Sequence, residues 1–422
     1  MPDPHPPRDR VERVEVAIVG GGPAGAALAT RLARAGRDVV VLERAPSWRW
    51  RAGGGFCSPA TVSALRGVGL GEDELAGLAR PIPAMRVETP AGTSFRLTYG
   101  ADAGGPPAVG LDRSGLDPCL LALAAAAGAD IRVGWAATTL DLAAGRVTVA
   151  SPGGPATLEA DVIVGADGLR SVVARTAGVA RSARLAPRLG LTYHLADPGM
   201  AADREARMRL LDDGYVGIAP VPGDRVNVGI VLGPSWHAAV ARDGARAVAD
   251  RIVASIPPGA DDPARWRDGT PTDAVAGAWP IGHRVTRRAG SGWMLVGDAA
   301  GFLDTFTGEG LHRALVSAEL AAAAITAGGR GVRGIGGAEA RARRRDRAFA
   351  AYDRTMTRRF LAKDAVSWLV QAFLARPALF EYAARRVADR ETVRATMGLV
   401  MGDLIPAGRA LDPRYLAALL AP

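Results

Sequence analysis

Cysteine is nearly missing from these 422 residues: only Cys57 and Cys119 occur, with no Cys-x-x-Cys spacing. A disulfide framework, a zinc site and an iron–sulfur ligand set are therefore not expected. The five histidines, His5, His194, His237, His283 and His312, include no His-x-x-x-His pair, so no metal site is expected either. Lysine is scarcer still, since Lys363 is the only one among 52 lysines and arginines. No stretch holds the roughly 20 apolar residues that span a bilayer. Met1 to Arg10 is proline-rich and charged, with no apolar leader. A cytoplasmic location is the expectation, with attachment to a membrane surface left open. The formal charge is +9 and the pI about 10.4. No basic segment is interleaved with stacking aromatics, which argues against a nucleic-acid partner. An acidic protein or anionic lipid surface suits that charge better.

Apolar residues make up 48 % of the chain, enough for a sizeable core. Three segments stand out. Val14 to Val19 reads as a buried parallel strand, followed at once by Gly20-Gly21-Gly22-Pro23-Ala24-Gly25 and the helix formers Ala26 to Ala35. A second apolar strand, Asp38 to Leu42, ends on Glu43. This is Gly-x-Gly-x-x-Gly in its strand–turn–helix–strand context. Gly20 permits the tight turn, Gly22 lets a pyrophosphate reach the backbone, and Gly25 lets the helix pack on the strand. The helix N-terminus, with the N–H groups around Ala24, then stabilises the phosphates. Glu43 is placed to accept hydrogen bonds from the adenosine ribose. The second segment is the strand Asp161 to Val164, running into Gly165-Ala166-Asp167-Gly168. The third is Gly292 to Val296, running into Gly297-Asp298-Ala299-Ala300-Gly301, with a long helix beginning near Gly308. Asp167 and Asp298 are placed at strand ends, where ligands of open α/β sheets bind. Another Gly-x-Gly-x-x-Gly, at 329–334, follows a helical run instead of a strand and reads as a linker.

Together these segments resemble the fingerprints of the p-hydroxybenzoate hydroxylase-like FAD superfamily. Within it, Gly297 to Gly310, with Thr307-Gly308-Glu309-Gly310 and Gly301, most resembles the geranylgeranyl reductase family. Gly53-Gly54-Gly55-Phe56-Cys57-Ser58-Pro59 is similar to that family's loop against the isoalloxazine, and Gly214 to Pro220 with Asn227 to Gly229 is similar to its substrate-side strands. The chain departs from the family pattern in four places. No cysteine opens the glycine loop, and Cys57 comes too late to inherit that role. Thr305 replaces a proline. Gly217 and Ala219 stand where bulky aromatics are common.

The resemblance implies an α/β fold: a Rossmann-type FAD-binding domain at 1–75, 108–182 and 285–328, interleaved with an antiparallel-sheet substrate domain at 76–107 and 183–284, then C-terminal helices at 329–422. Met85 to Tyr99 and Leu189 to Leu232 alternate apolar and polar residues as such strands do. Ala338 to Arg359 reads as a very basic helix. Its two readings are a solvated face and a contact with an anionic membrane or acidic protein. The expected FAD-contacting residues are Gly20, Gly22, Ala24, Gly25, Glu43, Arg44, Arg51, Gly54, Gly55, Arg113, Asp167, Asp298, Gly308, Glu309 and Gly310. Tyr215 and His312 are the candidate proton donors. The implied reaction is hydride transfer from reduced FAD to a C=C bond of an isoprenoid or other apolar molecule. NAD(P)H or a reduced ferredoxin-type protein is the expected electron source. The alternatives are a flavin monooxygenase or halogenase and a flavin redox sensor or electron-transfer subunit. Trp48-Arg49-Trp50 lacks the Ile-Pro continuation of the tryptophan-halogenase motif.

Overall fold

A strand covered on both faces can be apolar throughout, and Val16, Ala17 and Ile18 are fully buried within the first strand, Glu12–Val19. In the computed structural model, which describes residues 11–421 apart from 49, 185, 197–204, 257–268 and 330–336, this strand lies at the centre of a parallel sheet. Val39–Glu43 and then Asp130–Val133 flank it on one side. Gly154–Gly165 and Trp293–Leu295 flank it on the other, all parallel. Ala136–Asp141 and Arg146–Ser151 add an antiparallel hairpin to the start of Gly154–Gly165. The three predicted strand-end motifs thus come from neighbouring strands and open at the same carboxyl edge. The other glycine pattern, past Gly329, lies outside the described residues, as does the proline-rich start at 1–10.

The second sheet forms a ceiling over that edge. Its main path runs Thr270–Pro271, Leu189–Ala196, Arg225–Leu232, Gly214–Val221, Ala206–Leu211, Met85–Glu88, Ser94–Leu97. The pairings are antiparallel except one: Ala206–Leu211 runs parallel to Met85–Glu88. This junction is where the chain's two inserts meet, and strands from separate inserts have no hairpin to dictate their direction. A three-stranded sheet of Phe56–Cys57, Ala108–Leu111 and Ala79–Ile82 joins the two layers.

The C-terminal region is helical, and its first helix is longer than the basic segment read from the sequence. It runs Ala338–Leu374, 37 residues. Phe349, Tyr352, Met356 and Phe360 recur at helical spacing and are buried against the FAD-domain core. Tyr352 Oη donates to the Leu295 carbonyl at 2.7 Å. The charged face is therefore one side of an amphipathic helix. The helix then passes beyond the parallel sheet and, with Pro377–Asp389, Glu391–Met401 and Pro413–Leu420, packs against the ceiling sheet.

Candidate FAD cradle and substrate cavity

The first turn shows three glycines with three different reasons. Gly20 has φ +109°, and a Cβ there would sit 2.5 Å from the Ala166 oxygen. At Gly25 a Cβ would lie 2.0 Å from the Gly20 oxygen, so helix and strand could not pack. Gly22 is extended, caps the helix Pro23–Arg34, and has open space within 4 Å of its Cβ position. Proline at the first helical position costs no hydrogen bond, because that N–H would have no partner in the helix. The result is a 12-residue helix whose free N–H groups, with that of Ala24, meet an open space.

Glu43 lies beside this turn. Its Oε2 accepts from Gly21 N at 2.9 Å, and its Oε1 accepts from Ala45 N at 2.9 Å and from Arg51 at 2.7 Å. Burial pushes its carboxyl up, but these donors outweigh it and hold the group below the usual range. Glu43 thus anchors the loop, and its Oε2 keeps one free lone pair. Arg51 is half exposed and Arg44 is exposed, both at this outer end.

The acids at the neighbouring strand ends are unsatisfied in the way a ligand site requires. Asp167 Oδ2 accepts from Val172 N at 2.6 Å, whereas its buried Oδ1 has no partner among the described residues. Asp298 accepts no side-chain hydrogen bond from the described residues. Burial pushes its carboxyl up to about 6 even though Arg113 and Arg313 pull it down. Arg113 is itself held by a bidentate pair with Asp117, at 2.7 and 2.9 Å. Its outer nitrogen lies 3.4 Å from the Cβ position of Gly53. N–H donors of open glycine backbone at a helix N-terminus, and two acceptors, an orphaned buried carboxylate oxygen and an unbonded second acid, together fit a dinucleotide with a polyhydroxyl chain.

The glycine loop is pinned from above. Gly55 N donates to Asn227 Oδ1 at 2.9 Å. Asn227 Nδ2 donates to Thr192 Oγ1 at 3.1 Å and lies 3.3 Å from His194 Nε2. His194 Nδ1 lies 2.6 Å from Asp273. None of Asp273, His194 and Thr192 is singled out by the sequence, because His194 and Thr192 lie on a strand, and Asp273 on a bend, remote from the loop. Gly54 is exposed with nothing near its Cβ position. Cys57 is buried and its thiol is pushed up to about 12, so it is not a thiolate.

Facing this loop is the segment before the helix Gly310–Ala327. Gly308 has φ +65°, and a Cβ there would meet the Phe56 ring at 2.7 Å. Its N–H is taken by the Thr305 carbonyl, so the free donors at that end are those of the helical turn beginning at Gly310. Glu309 points away from solvent, 3.7 Å from Lys363 Nζ and 3.9 Å from Arg313. Burial pushes its carboxyl up against the pull of both cations.

Both candidate proton donors are buried. Tyr215 is buried at the ceiling's edge, with its hydroxyl donating to Asp304 Oδ1 at 2.5 Å and 2.7 Å from Thr305 Oγ1. Burial, then the Asp304 charge, raises its ionisation far above the ordinary range. The hydroxyl thus joins the Asp304 carboxylate to Thr305. His312, in the first turn of its helix, is held below its usual range by burial, and its buried Nδ1 has no partner among the described residues. Ala60, Lys363 and Asp403 are its neighbours.

An apolar cavity of about 100 Å³ lies between the ceiling and the C-terminal helices. Met85, Leu97 and Met208 line it from the sheet, and Val366, Phe380 and Met401 line it from the helices. Phe56, Phe306 and Thr307 also line it, and the Phe56 ring lies against Gly308. The C-terminal helices thus form the wall of this cavity opposite the ceiling sheet. A separate polar cavity of about 290 Å³ is lined by Arg188, Asp212, Asp213, Tyr215 and Gln371.

These features define an FAD-dependent oxidoreductase, and residues 13–355 match the FAD binding domain family. The chain is 31 % identical over 326 residues to a digeranylgeranylglycerophospholipid reductase of Methanoculleus marisnigri, covering 73 % of this chain and 75 % of that one. It is 29 % identical over 339 residues to a menaquinone reductase of Mycolicibacterium smegmatis, covering 75 % and 77 %. The fold is similar to that of a geranylgeranyl bacteriochlorophyll reductase-like protein of Thermoplasma acidophilum, with TM-score 0.75, 23 % identity, and 97 % and 99 % of the two chains covered. The chain belongs to the geranylgeranyl reductase family of FAD-dependent oxidoreductases.

Proposed function

We propose that this enzyme saturates a C=C bond in the isoprenoid chain of an apolar molecule. The observation that carries the reading is the apolar cavity whose lining includes Phe56, Phe306 and Thr307, next to the glycine segments expected to bracket the flavin. A wall of methionine, phenylalanine and aliphatic side chains suits a flexible hydrocarbon. The named activities of the two relatives, on an isoprenoid phospholipid and on menaquinone, support the same chemistry.

Bound FAD, once reduced, supplies the hydride. The chain holds it through Gly22, Ala24 and Gly25 at the pyrophosphate, Glu43 with Arg44 and Arg51 at the adenosine end, and Asp167, Asp298 and Arg113 along the polyhydroxyl chain. Gly54, Gly55, Gly308, Glu309 and Gly310 lie at the ring. Positive helix ends at Pro23 and Gly310 favour negative charge at both places. The second hydrogen comes from water. Tyr215 Oη, Asp304, Arg188 and Gln371 form a hydrogen-bonded line beside the polar cavity, with Arg188 3.2 Å from Asp304 and 2.5 Å from Gln371. Thr305 Oγ1, at the end of that line, can pass the proton. The two electrons originate from NAD(P)H or a reduced ferredoxin-type protein. The exposed Arg343, Arg344 and Arg347 suit an acidic donor or an anionic membrane surface. Among the described residues no helix is long and apolar enough to cross a membrane.

The deciding experiment is turnover of isoprenoid substrates with the flavin kept chemically reduced, with and without oxygen. Saturated product formed anaerobically supports the reading. Product that needs oxygen, and carries an atom of it, replaces the reading with a monooxygenase.

Asp298 gives this reading a pH signature. A hydroxyl donor from FAD favours the ionised carboxylate, so FAD binding must expel the proton that burial retains. With a free-protein value of about 6, FAD affinity should be constant above pH 7 and weaken as pH falls through 6. The slope should approach about tenfold per pH unit. Asp298→Asn should bind more weakly at pH 8 and lose that slope. An unchanged slope in Asp298→Asn, measured by apoprotein titration, would remove Asp298 from the site.

A further inference from the structure

Two neighbouring strands of the ceiling hold the glycine loop at both ends. His194 and Asn227 are direct cross-strand partners, and Thr192 lies on the same face as His194. At one end of the loop, Trp50 Nε1 donates to the Thr192 carbonyl at 3.2 Å, and the Trp50 ring lies 4.5 Å from the His194 ring, centroid to centroid. At the other end, Gly55 N donates to Asn227 Oδ1, and Gly55 O accepts from Leu111 N at 2.7 Å. The residues between, Arg51 to Gly54, are exposed or half-buried, whereas Gly55, Thr192, His194 and Asn227 are buried. A buried network of this kind holds only if each donor meets an acceptor.

The donors and acceptors leave one arrangement. A backbone N–H can only donate, so the Asn227 oxygen must face Gly55 and its nitrogen must face Thr192 and His194. That nitrogen also only donates, so His194 Nε2 must carry no proton. The ring proton then lies on Nδ1 and is donated to Asp273 Oδ2, 2.6 Å away. Asp273 is fixed in turn by His194 N, whose hydrogen bond its Oδ1 accepts at 2.8 Å. A proton on Nε2 would set two donors against each other. Asn227 would have to turn over, and its nitrogen would then face the Gly55 N–H.

We infer that His194 and Asp273 are positioning residues for the flavin ring: Asp273 selects the histidine tautomer that orients the Asn227 amide, and Asn227 thereby holds Gly55 and the loop against the isoalloxazine. The inference rests on the placement of the glycine loop at the flavin and not on the choice of substrate. Burial supports the neutral ring, because it holds His194 below its ordinary range although the Asp273 hydrogen bond and charge pull the other way. Of the more distant charges, Arg225 lowers it further, and Asp112, the partner of Arg225 at 3.0 Å, opposes that.

Asp273→Asn tests this with almost no change of shape. The His194 N–H keeps the new amide's oxygen at the Oδ1 position, so its nitrogen stands where Oδ2 was and donates to Nδ1. His194 must then carry its proton on Nε2, and Gly55 loses its acceptor. At pH 8, hydrogen–deuterium exchange at the Gly55 amide of the holoenzyme should quicken about tenfold, and FAD affinity should fall about fivefold or more. The visible circular dichroism of the oxidised flavin should weaken. Adding Asn227→Asp restores an acceptor for both the Nε2 and the Gly55 N–H groups at the same net charge. The double variant should regain wild-type exchange, affinity and dichroism, which a mere loss of packing at Asp273 would not allow. Unchanged exchange in Asp273→Asn, faster exchange with unaltered FAD affinity and dichroism, or a double variant no better than the single one would each overturn the inference. If Asp273→Asn fails to fold, nitrogen NMR of wild-type holoenzyme with isotope-labelled histidine reads the tautomer directly. A proton on His194 Nδ1 at pH 8 is the expected result, and one on Nε2 overturns the inference. No readout uses a substrate, so failure of isoprenoid reduction is a separate result and sinks only the reductase reading.

Discussion

Gly22→Val should fold and be almost colourless. The argument rests on the contrast among the three fingerprint glycines. Gly20 has positive φ and Gly25 presses on the Gly20 oxygen, so larger residues there damage the protein itself. Gly22 is extended, with open space where a side chain would go. The apoprotein should therefore tolerate valine, with a melting temperature near that of wild-type apoprotein. The pyrophosphate is the group that needs this space, because it must approach the N–H groups at the start of the helix. Blocking that approach removes several charge-assisted hydrogen bonds, each about 1.5–3 kcal/mol, so FAD affinity should fall at least 100-fold. The purified variant should retain less than about a tenth of the wild-type flavin absorbance. A folded variant that keeps one FAD per chain would mean that the pyrophosphate lies elsewhere.

What could be read from sequence follows the range of the interactions involved. The fingerprint turn is local: strand, glycines and helix lie within some thirty residues, and each has its own signal in composition and spacing. The same holds for the strand-end acids Asp167 and Asp298, whose apolar runs announce the edge on which they stand. The Asp273–His194–Asn227–Gly55 chain has no such signal. Its members come from two strands, a bend and a loop, brought together by cross-strand register. The parallel pairing of Ala206–Leu211 with Met85–Glu88 is likewise invisible to alternation, which shows faces and not directions. Tyr215 and His312 were legible as titratable groups near the flavin segments. What they could do depended on Asp304 and on burial, and neither is encoded nearby in the chain. The C-terminal helices were legible as helices, but not as a cavity wall.

Lys363 shows the reverse case, a residue whose rarity is the signal. Arginine serves nearly everywhere this chain needs a cation, yet lysine stands here. Lys363 Nζ donates to the Val400 carbonyl at 2.9 Å and to Asp403 at 2.7 Å, and lies 3.7 Å from Glu309. Asp403, at φ +58°, also accepts from Ser58 Oγ at 3.0 Å. The ammonium thus joins the long C-terminal helix, the end of Glu391–Met401, the segment after the glycine loop and the acid before Gly310. Its donors point to three separated partners, whereas a guanidinium is planar and larger. Lys363→Met keeps most of the apolar stem but leaves Asp403 and Glu309 without their shared cation. Breaking one partner of a buried pair costs about 3–5 kcal/mol. The melting temperature should fall by roughly 6 °C or more, at about 2 °C for each kcal/mol in a chain of this size. Burial already raises the Glu309 carboxyl and Lys363 opposes that rise, so the variant should bind a proton there more readily. The loss should therefore be larger at pH 8 than at pH 5, where protonation relieves the uncompensated charge. Lys363→Arg keeps the charge but not the shape, and should recover only part of the stability. Calorimetry of the holoenzymes at both pH values decides the matter: a Lys363→Met protein that melts within a degree of wild type would show that the lysine does not hold these elements together.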